Sequence, residues 1–223
     1  MRFGARLATR QGVLKSHGLE HVPGSGPVVL AVRHYHHLLD ALGLLAQVDR
    51  PLHIMVGLDW VSTRATRWMM EGLARLCAWP VTLRNEEERR SEAVSGEPRP
   101  SAYREEEVRP YQQRAFRQCV ELLRLDRAVA IFPEGYPVID PHVPRRPRAE
   151  LLAPFKSGFA RTAVMFARRH GRPVPVVPVG IRPEGEGDAG LAFVYGAARR
   201  VTGSTDVDAL IADVYDDILM LSR

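Results

Sequence analysis

The sequence predicts an α/β domain: a single unit with a mostly parallel central sheet flanked by helices. Three observations carry this expectation. Short, near-continuous apolar runs such as "VVLAV" (28–32) and "PVPVVPVGI" (173–181) read as strands buried on both faces. Segments of helical length and spacing fall between such runs. A chain of 223 residues, 45% hydrophobic and 26% charged, is long enough and apolar enough to close one large core.

The elements follow in order. Residues 1–12 read as a short basic amphipathic segment, with Phe3 and Leu7 set among Arg2, Arg6 and Arg10. "VLKSHGLEHVPGSGPVVLAV" (13–32) reads as a strand, a Gly/Pro-rich turn and a buried strand. "LLDALGLLAQV" (38–48) is a helix by spacing, "HIMVGL" (53–58) a strand, "TRATRWMMEGLARLC" (63–77) a helix and "WPVTL" (79–83) a short strand. Residues 85–110 are polar and charged, and the expectation there is a mobile insert with at most one exposed helical turn. "QQRAFRQCVELLRLD" (112–126) resumes helical periodicity and "RAVAIFPEG" (127–135) is a strand ending on glycine. A Pro- and Arg-rich loop (137–148) precedes a helix at 158–171, which closes on Gly171. Strands are expected at 173–181 and 191–197, and a last helix at 206–221, opening at Ser204/Thr205 with Asp206 and Asp208 in its first turn. No internal repeat or domain boundary interrupts 1–223.

Composition narrows the function classes. No apolar stretch approaches the length of a membrane-spanning helix. The basic N-terminus lacks the apolar core and cleavage site of a secretory signal. Cys77 and Cys119 lack metal-like spacing and read as reduced thiols of a cytosolic protein. The net charge of +5 is unevenly spread, since residues 85–110 carry eight Glu against five Arg and residues 204–223 carry five Asp against one Arg. The remaining body is therefore strongly basic, and almost entirely through arginine, because Lys15 and Lys156 are the two lysines. Guanidinium suits phosphate-bearing partners such as nucleic acid, anionic lipid or a coenzyme. A GC-rich coding sequence would produce the same bias without any such partner.

Four segments carry chemistry. In "VVLAVRHYHHLLDAL" (28–42) an apolar strand opens onto His34, His36 and His37, followed by Asp40. Such a cluster suits a metal site, a His–Asp general-base dyad, or a helix start that happens to be histidine-rich. In a dyad the carboxylate fixes the imidazole tautomer while the other ring nitrogen takes a proton from a hydroxyl. In "AIFPEGYPV" (130–138) a strand ending in Phe132-Pro133-Glu134-Gly135 sets a carboxylate at the sheet's C-terminal rim, where α/β proteins bind ligands. "PFKSGFARTAVMFA" (154–167) places Lys156 just before a helix start, suited to an anion. Arg84 ends "WPVTLR" beside the charged insert.

Taken together, "VVLAVRHYHHLLDAL", "WPVTLR", "IFPEG" with "LLAPFKSGFARTA", and "VPVVPVGI" resemble the four ordered blocks of the glycerolipid acyltransferase family. That family includes the 1-acylglycerol-3-phosphate and glycerol-3-phosphate acyltransferases, and the resemblance covers roughly residues 12–200. Two departures stand out. The family spaces its histidine and aspartate by four residues, but four before Asp40 lies Tyr35, with His34 one residue too far and His36 one too near. The strand delivers His34 to the family position, with one extra residue absorbed before the helix. His36 is the alternative base, at i, i+4 from Asp40 if helix already runs through 36–40. Second, the family often follows Phe-Pro-Glu-Gly with Thr-Arg-Ser, whereas this chain continues "YPVIDPHVPRRPR", leaving Arg84, Lys156 and loop arginines Arg145, Arg146 or Arg148 for an acceptor phosphate.

The resemblance implies acyl transfer from acyl-CoA or acyl-carrier protein to a hydroxyl of a lysophospholipid or related alcohol. His34 and Asp40 would be catalytic. Arg84, Phe132, Pro133, Glu134, Gly135 and Lys156 would bind substrate, Glu134 positioning the acceptor and a backbone N–H near Gly135 meeting the oxyanion. It implies no metal or other cofactor and no nucleic-acid partner. It places the chain in the cytoplasm, bound peripherally to the inner membrane face through its basic N-terminal segment and neighbouring arginines. Two rival readings remain: a metal-dependent hydrolase using His34, His36 and Asp40 with His53, His142 or His170, and a non-catalytic lipid- or nucleic-acid-binding relative.

Overall fold

The computed structural model describes residues 14–36, 38–92, 100–139, 152–184 and 190–223. The basic segment at 1–12 lies outside the described residues, as do His37, His142, Arg145, Arg146 and Arg148. The elements run β1 (Leu14–His17), a 3-10 turn (Leu19–His21), β2 (Val28–Val32), α1 (Leu39–Gln47), β3 (Leu52–Ile54), β4 (Val56–Gly57), α2 (Arg64–Leu76), β5 (Val81–Thr82) and α3 (Glu86–Glu92). They continue with α4 (Glu105–Arg124), β6 (Ala128–Ile131), α5 (Gly158–His170), β7 (Val174–Glu184), β8 (Gly190–Tyr195), β9 (Arg199–Val201) and α6 (Val207–Leu221).

The main sheet has the order β1-β8-β7-β2-β6-β3, with β9 also paired to β7. Pairing is parallel from β7 through β2 and β6 to β3, and again between β1 and β8. It is antiparallel where β7 meets β8 and β9. All five residues of β2 are buried, as a central strand covered on both faces requires. Val29, Ala31, Val129, Ile131 and Val176 face a core shared with α4, α5 and α6. The alternating set Leu30, Val32, Ala130, Val177 and Val179 faces a second core that includes Leu44 of α1 and Phe193 of β8. Cys119 lies in the first core, where burial pushes its thiol up to about 12, and Cys77 is a free thiol.

Several boundaries differ from expectation. The strand read at 53–58 divides: β3 pairs with β6, whereas β4 leaves the main sheet for a two-stranded ribbon with β5. Apolar content is the same on both sides of Met55, so periodicity could not mark the departure. The charged insert is helical at both ends, as α3 and as the first turns of α4. Helix α4 runs through Pro110, which removes one intrahelical donor. Its start is anchored upstream of that proline, where Glu107 accepts from the backbone N–H of Arg104 and binds Arg67 through both oxygens. Residues 93–99 of the insert lie outside the described set, and so does its expected mobility. At α6 the cap is Asp206, whose side chain accepts from the Ala209 N–H at 2.8 Å, one residue beyond the expected Ser204/Thr205. The third strand on β7, β9, had no expectation attached.

Helix α1 lies close against β8, and a Cβ placed on Gly43 would come within 2.2 Å of the Phe193 ring. Gly72 of α2 has nothing within 4 Å of the same position. Helix propensity favours alanine over glycine at both sites by about 1 kcal/mol. Gly72→Ala is therefore expected to stabilise by roughly 0.5–1 kcal/mol, while Gly43→Ala loses about 1–3 kcal/mol to overpacking. Urea unfolding of the two variants checks the opposite signs.

Candidate active site

Strand pairing assembles the site. The parallel register of β2 and β6 sets Val28 opposite Ala128 and Ala31 opposite Ile131. Continuing both strands by three residues brings His34 beside Glu134 at their shared C-terminal end. The contact is direct, with the backbone N–H of His34 donating to Glu134 Oε1 at 2.8 Å. The other carboxylate oxygen accepts from the backbone N–H of Ala153 at 2.9 Å. Beyond this point the two segments stay together, since Val138 and Ile139 donate their N–H groups to the carbonyls of His34 and Tyr35.

Glu134 stands at the C-terminal rim of the sheet, as expected, and is 2% exposed there. Burial pushes its carboxyl above the usual carboxylate range, opposed by the two backbone donors and by the nearby Arg33 guanidinium. A residue whose two oxygens receive main-chain N–H groups acts as a brace between loops, and its side chain does not line the cavity described below. The N–H of Gly135 likewise is taken up within its own turn, donating to the Phe132 carbonyl at 3.1 Å, so the donor expected there for an oxyanion is engaged.

Asp40 is fully buried in the first turn of α1. Its Oδ2 receives His34 Nδ1 at 2.9 Å and the backbone N–H of His36 at 2.9 Å. The six-residue separation of His34 and Asp40 is absorbed by the turn before the helix, as the strand-end argument required. The imidazole of His36 instead turns toward the backbone N–H groups of Leu38 and Leu39, 3.4 Å from its Nδ1, as a helix-capping group would. The geometry thus joins Asp40 to the ring of His34 and to the main chain of His36. Phe132 stacks on the His34 ring at 4.4 Å between centroids, with 27° between planes, holding it from the other side. With Nδ1 committed to Asp40, Nε2 is the nitrogen left to meet a substrate.

His34, Phe132, Pro133 and Gly135 line a cavity of about 680 Å³. Its wall also carries the cations Arg84, Lys156, Arg161 and Arg168, the carboxylates Asp59 and Glu88, and the apolar side chains Met55, Phe116, Val164 and Met165. Arg84 donates through Nε to Asp59 Oδ2 at 3.0 Å and lies 4.4 Å above the Tyr136 ring. Lys156 Nζ pairs with Glu88 Oε1 at 2.8 Å, and its backbone N–H donates to the Pro133 carbonyl. Gly135 has φ 71°, and a Cβ there would press to 3.2 Å on the Lys156 side chain, so the turn needs glycine for its conformation and for the lysine's passage. Sequence reasoning missed Asp59 and Glu88. Asp59 follows a short strand without a motif around it, and Glu88 was one of eight glutamates in an insert read as loop. Among the described residues, His, Cys, Asp and Glu side chains form no group of three placed to hold a metal ion, because the rings of His34 and His36 are directed to different partners.

The sequence matches the family model described as Acyltransferase over residues 13–182. No curated protein matches the chain. Among solved structures, it is similar to the 1-acyl-sn-glycerophosphate (LPA) acyltransferase PlsC from Thermotoga maritima. That match has a TM-score of 0.56 at 15% identity and covers 97% of this chain and 76% of that one. At this identity the likeness is one of fold. No helix among the described residues is long and apolar enough to cross a membrane. The family match spans β1 through β7 and therefore every strand and turn that builds the site, and the chain belongs to the Acyltransferase family.

Proposed function

We propose that this acyltransferase moves a fatty acyl group from the thioester of acyl-CoA or acyl-carrier protein to a hydroxyl of a lysophospholipid or related acceptor. The observation that carries the reading is the His34 Nδ1–Asp40 bond of 2.9 Å, with His34 lining a cavity whose wall has both charged and apolar side chains. In this scheme His34 Nε2 takes the acceptor's hydroxyl proton as the oxygen attacks the thioester carbonyl. The tetrahedral intermediate expels the thiolate, which recovers that proton from the imidazolium, while Asp40 stabilises the charged ring. Atoms and charge balance without a covalent acyl-enzyme, a metal or a prosthetic group.

Met55, Phe116, Val164 and Met165 suit an acyl chain, and Arg84 and Lys156 suit the acceptor's head group. Both cations already carry carboxylate partners, Asp59 and Glu88. An acceptor phosphate would have to compete with Glu88 for Lys156, which favours acceptors of low charge or requires that α3 yields. The lipid would be met at a membrane surface, at the inner face of the membrane in the cytoplasm.

Two sets of variants test the scheme. His34→Ala is expected to lower kcat by about 10²–10⁴, and Asp40→Asn by a comparable factor through loss of the tautomer-fixing acceptor. His36→Ala, whose backbone N–H persists, should stay within about tenfold of wild type. Thioester release from acyl-CoA and acyl-carrier protein with lysophosphatidate and neutral acceptors reads this, with and without chelator. Activity that His36→Ala abolishes and His34→Ala spares would reject the assignment, and activity lost on chelation would favour the metal-dependent reading.

Glu134→Gln provides the second test. Both partners of the carboxylate are N–H donors, so an amide satisfies one and sets its own NH₂ against the other. The substitution is expected to cost about 1–3 kcal/mol, and to lower kcat even at temperatures where the variant remains folded. Calorimetry combined with turnover at low temperature measures both effects.

A further inference from the structure

Helix α2 divides its residues unlike an ordinary helix on a globular surface. Its inward side is mixed, with Arg67 and Glu71 beside Met70 and Ala74. Arg67 donates to Glu71 at 3.0 Å and forms a two-pronged pair with Glu107 of α4, and the Tyr111 hydroxyl donates to Glu71 at 2.6 Å. Arg67 also lies 4.1 Å over the Tyr103 ring. Ala74 is the one residue of α2 that is fully enclosed. The helix is thus held to α4 by charge-assisted hydrogen bonds beside a small apolar contact, in which Met70 packs on the cluster containing Tyr103 and Val108.

Its larger apolar residues other than Met70 face outward. Arg64, Trp68, Gly72 and Leu76 form one i, i+4 row along the helix, and Ala65, Met69 and Leu73 form the row beside it. Trp68 and Leu76 are 82% and 85% exposed, and Met69 and Leu73 are exposed with them. Arg64 and Arg75 flank these rows, with the Arg75 side chain 74% exposed. The single carboxylate of the helix, Glu71, is largely covered: one oxygen meets Arg67 and Tyr111, and the other pairs with Arg75 at 3.1 Å, which leaves Arg64 as the cation of this face without a carboxylate on its own helix. Between β4 and α2, Trp60 is half exposed, follows the cavity residue Asp59 directly, and donates its indole N–H to the carbonyl of Gly57, which also lines the cavity.

We propose that this face of α2 docks on an anionic lipid surface. Tryptophan, methionine and leucine rows flanked by arginine and lacking an outward carboxylate are what a headgroup boundary of negative charge accommodates. A second copy of the same cationic face would meet like charge. Docking through α2 and Trp60 would lay the membrane beside the cavity that takes the acceptor, and to that extent the purpose of the surface rests on the lipid acceptor proposed above.

The test needs no turnover. The full chain is mixed with phosphatidylcholine vesicles, with or without phosphatidylglycerol, and bound protein is read by co-sedimentation and by the blue shift of tryptophan emission. Wild type is expected to prefer the phosphatidylglycerol vesicles and to lose binding as salt rises. The double variant Trp68→Ser/Leu76→Ser should bind about a hundredfold less and Arg64→Ser about fivefold less, with circular dichroism and thermal unfolding unchanged because these side chains are exposed. Equal binding by the double variant overturns the proposal and assigns the membrane contact to another segment. So does wild-type binding to neither vesicle, or a dimer in solution that the double variant disperses. Transfer to a short-chain soluble acceptor, measured in parallel, separates failure of this surface from failure of the catalytic reading.

Discussion

Two backbone N–H groups, those of His34 and Ala153, converge on the carboxylate of Glu134, and the placement of the candidate site follows from that convergence. One belongs to the end of β2 and the other to the approach to α5, so a single buried side chain links three separate segments. Because His34 donates to Glu134 through its main chain, its ring remains available to Asp40 on one edge and to the cavity on the other. Lys156 is set by the same turn through the Pro133 carbonyl. A carboxylate so enclosed is electrostatically costly, and the two N–H donors, with the nearby Arg33 guanidinium, offset that cost.

Much of this architecture was legible in the chain. The central strands were read correctly because a strand buried on both faces has an uninterrupted apolar signature, as in Val28–Val32. The pairing of Asp40 with His34 followed from counting along the strand and not from the helix, since a capping group like His36 belongs to the turn while the strand's end sets the ring of His34. Other features had no local signal. Whether β4 stays with the main sheet depends on its partner β5 rather than on its own residues. The early start of α4 depends on Glu107 finding Arg67, which lies 40 residues earlier. Asp59 and Glu88 acquire their positions only when Arg84 and Lys156 are brought opposite them. Such partners are properties of the assembled fold, invisible to any window of sequence.

The arginine bias also resolves into particular uses. Arg50 reaches the carbonyls of Pro23 and Asp126 at 2.6 and 2.7 Å, closing the turn before β2 against the turn before β6. Arg33 is buried and donates to the Ile181 carbonyl, and Arg199 grips Asp213 and Asp217 of α6. These guanidinium groups gather main-chain carbonyls and carboxylates from distant segments, a task suited to a planar donor with several N–H groups and poorly served by lysine. Part of the basic body is therefore internal scaffolding, and the count alone overstated its reach toward phosphates.

The position of β1 bears on how the chain emerges from the ribosome. Its partner in the sheet is β8, so Leu14–His17 must await Leu191–Val194. The residues between them have to be synthesised before β1 finds these hydrogen bonds, while β2, β3 and β6 can already pair. During that interval β1 lacks the strand it pairs with, and its backbone donors and acceptors are left to water until β8 is released.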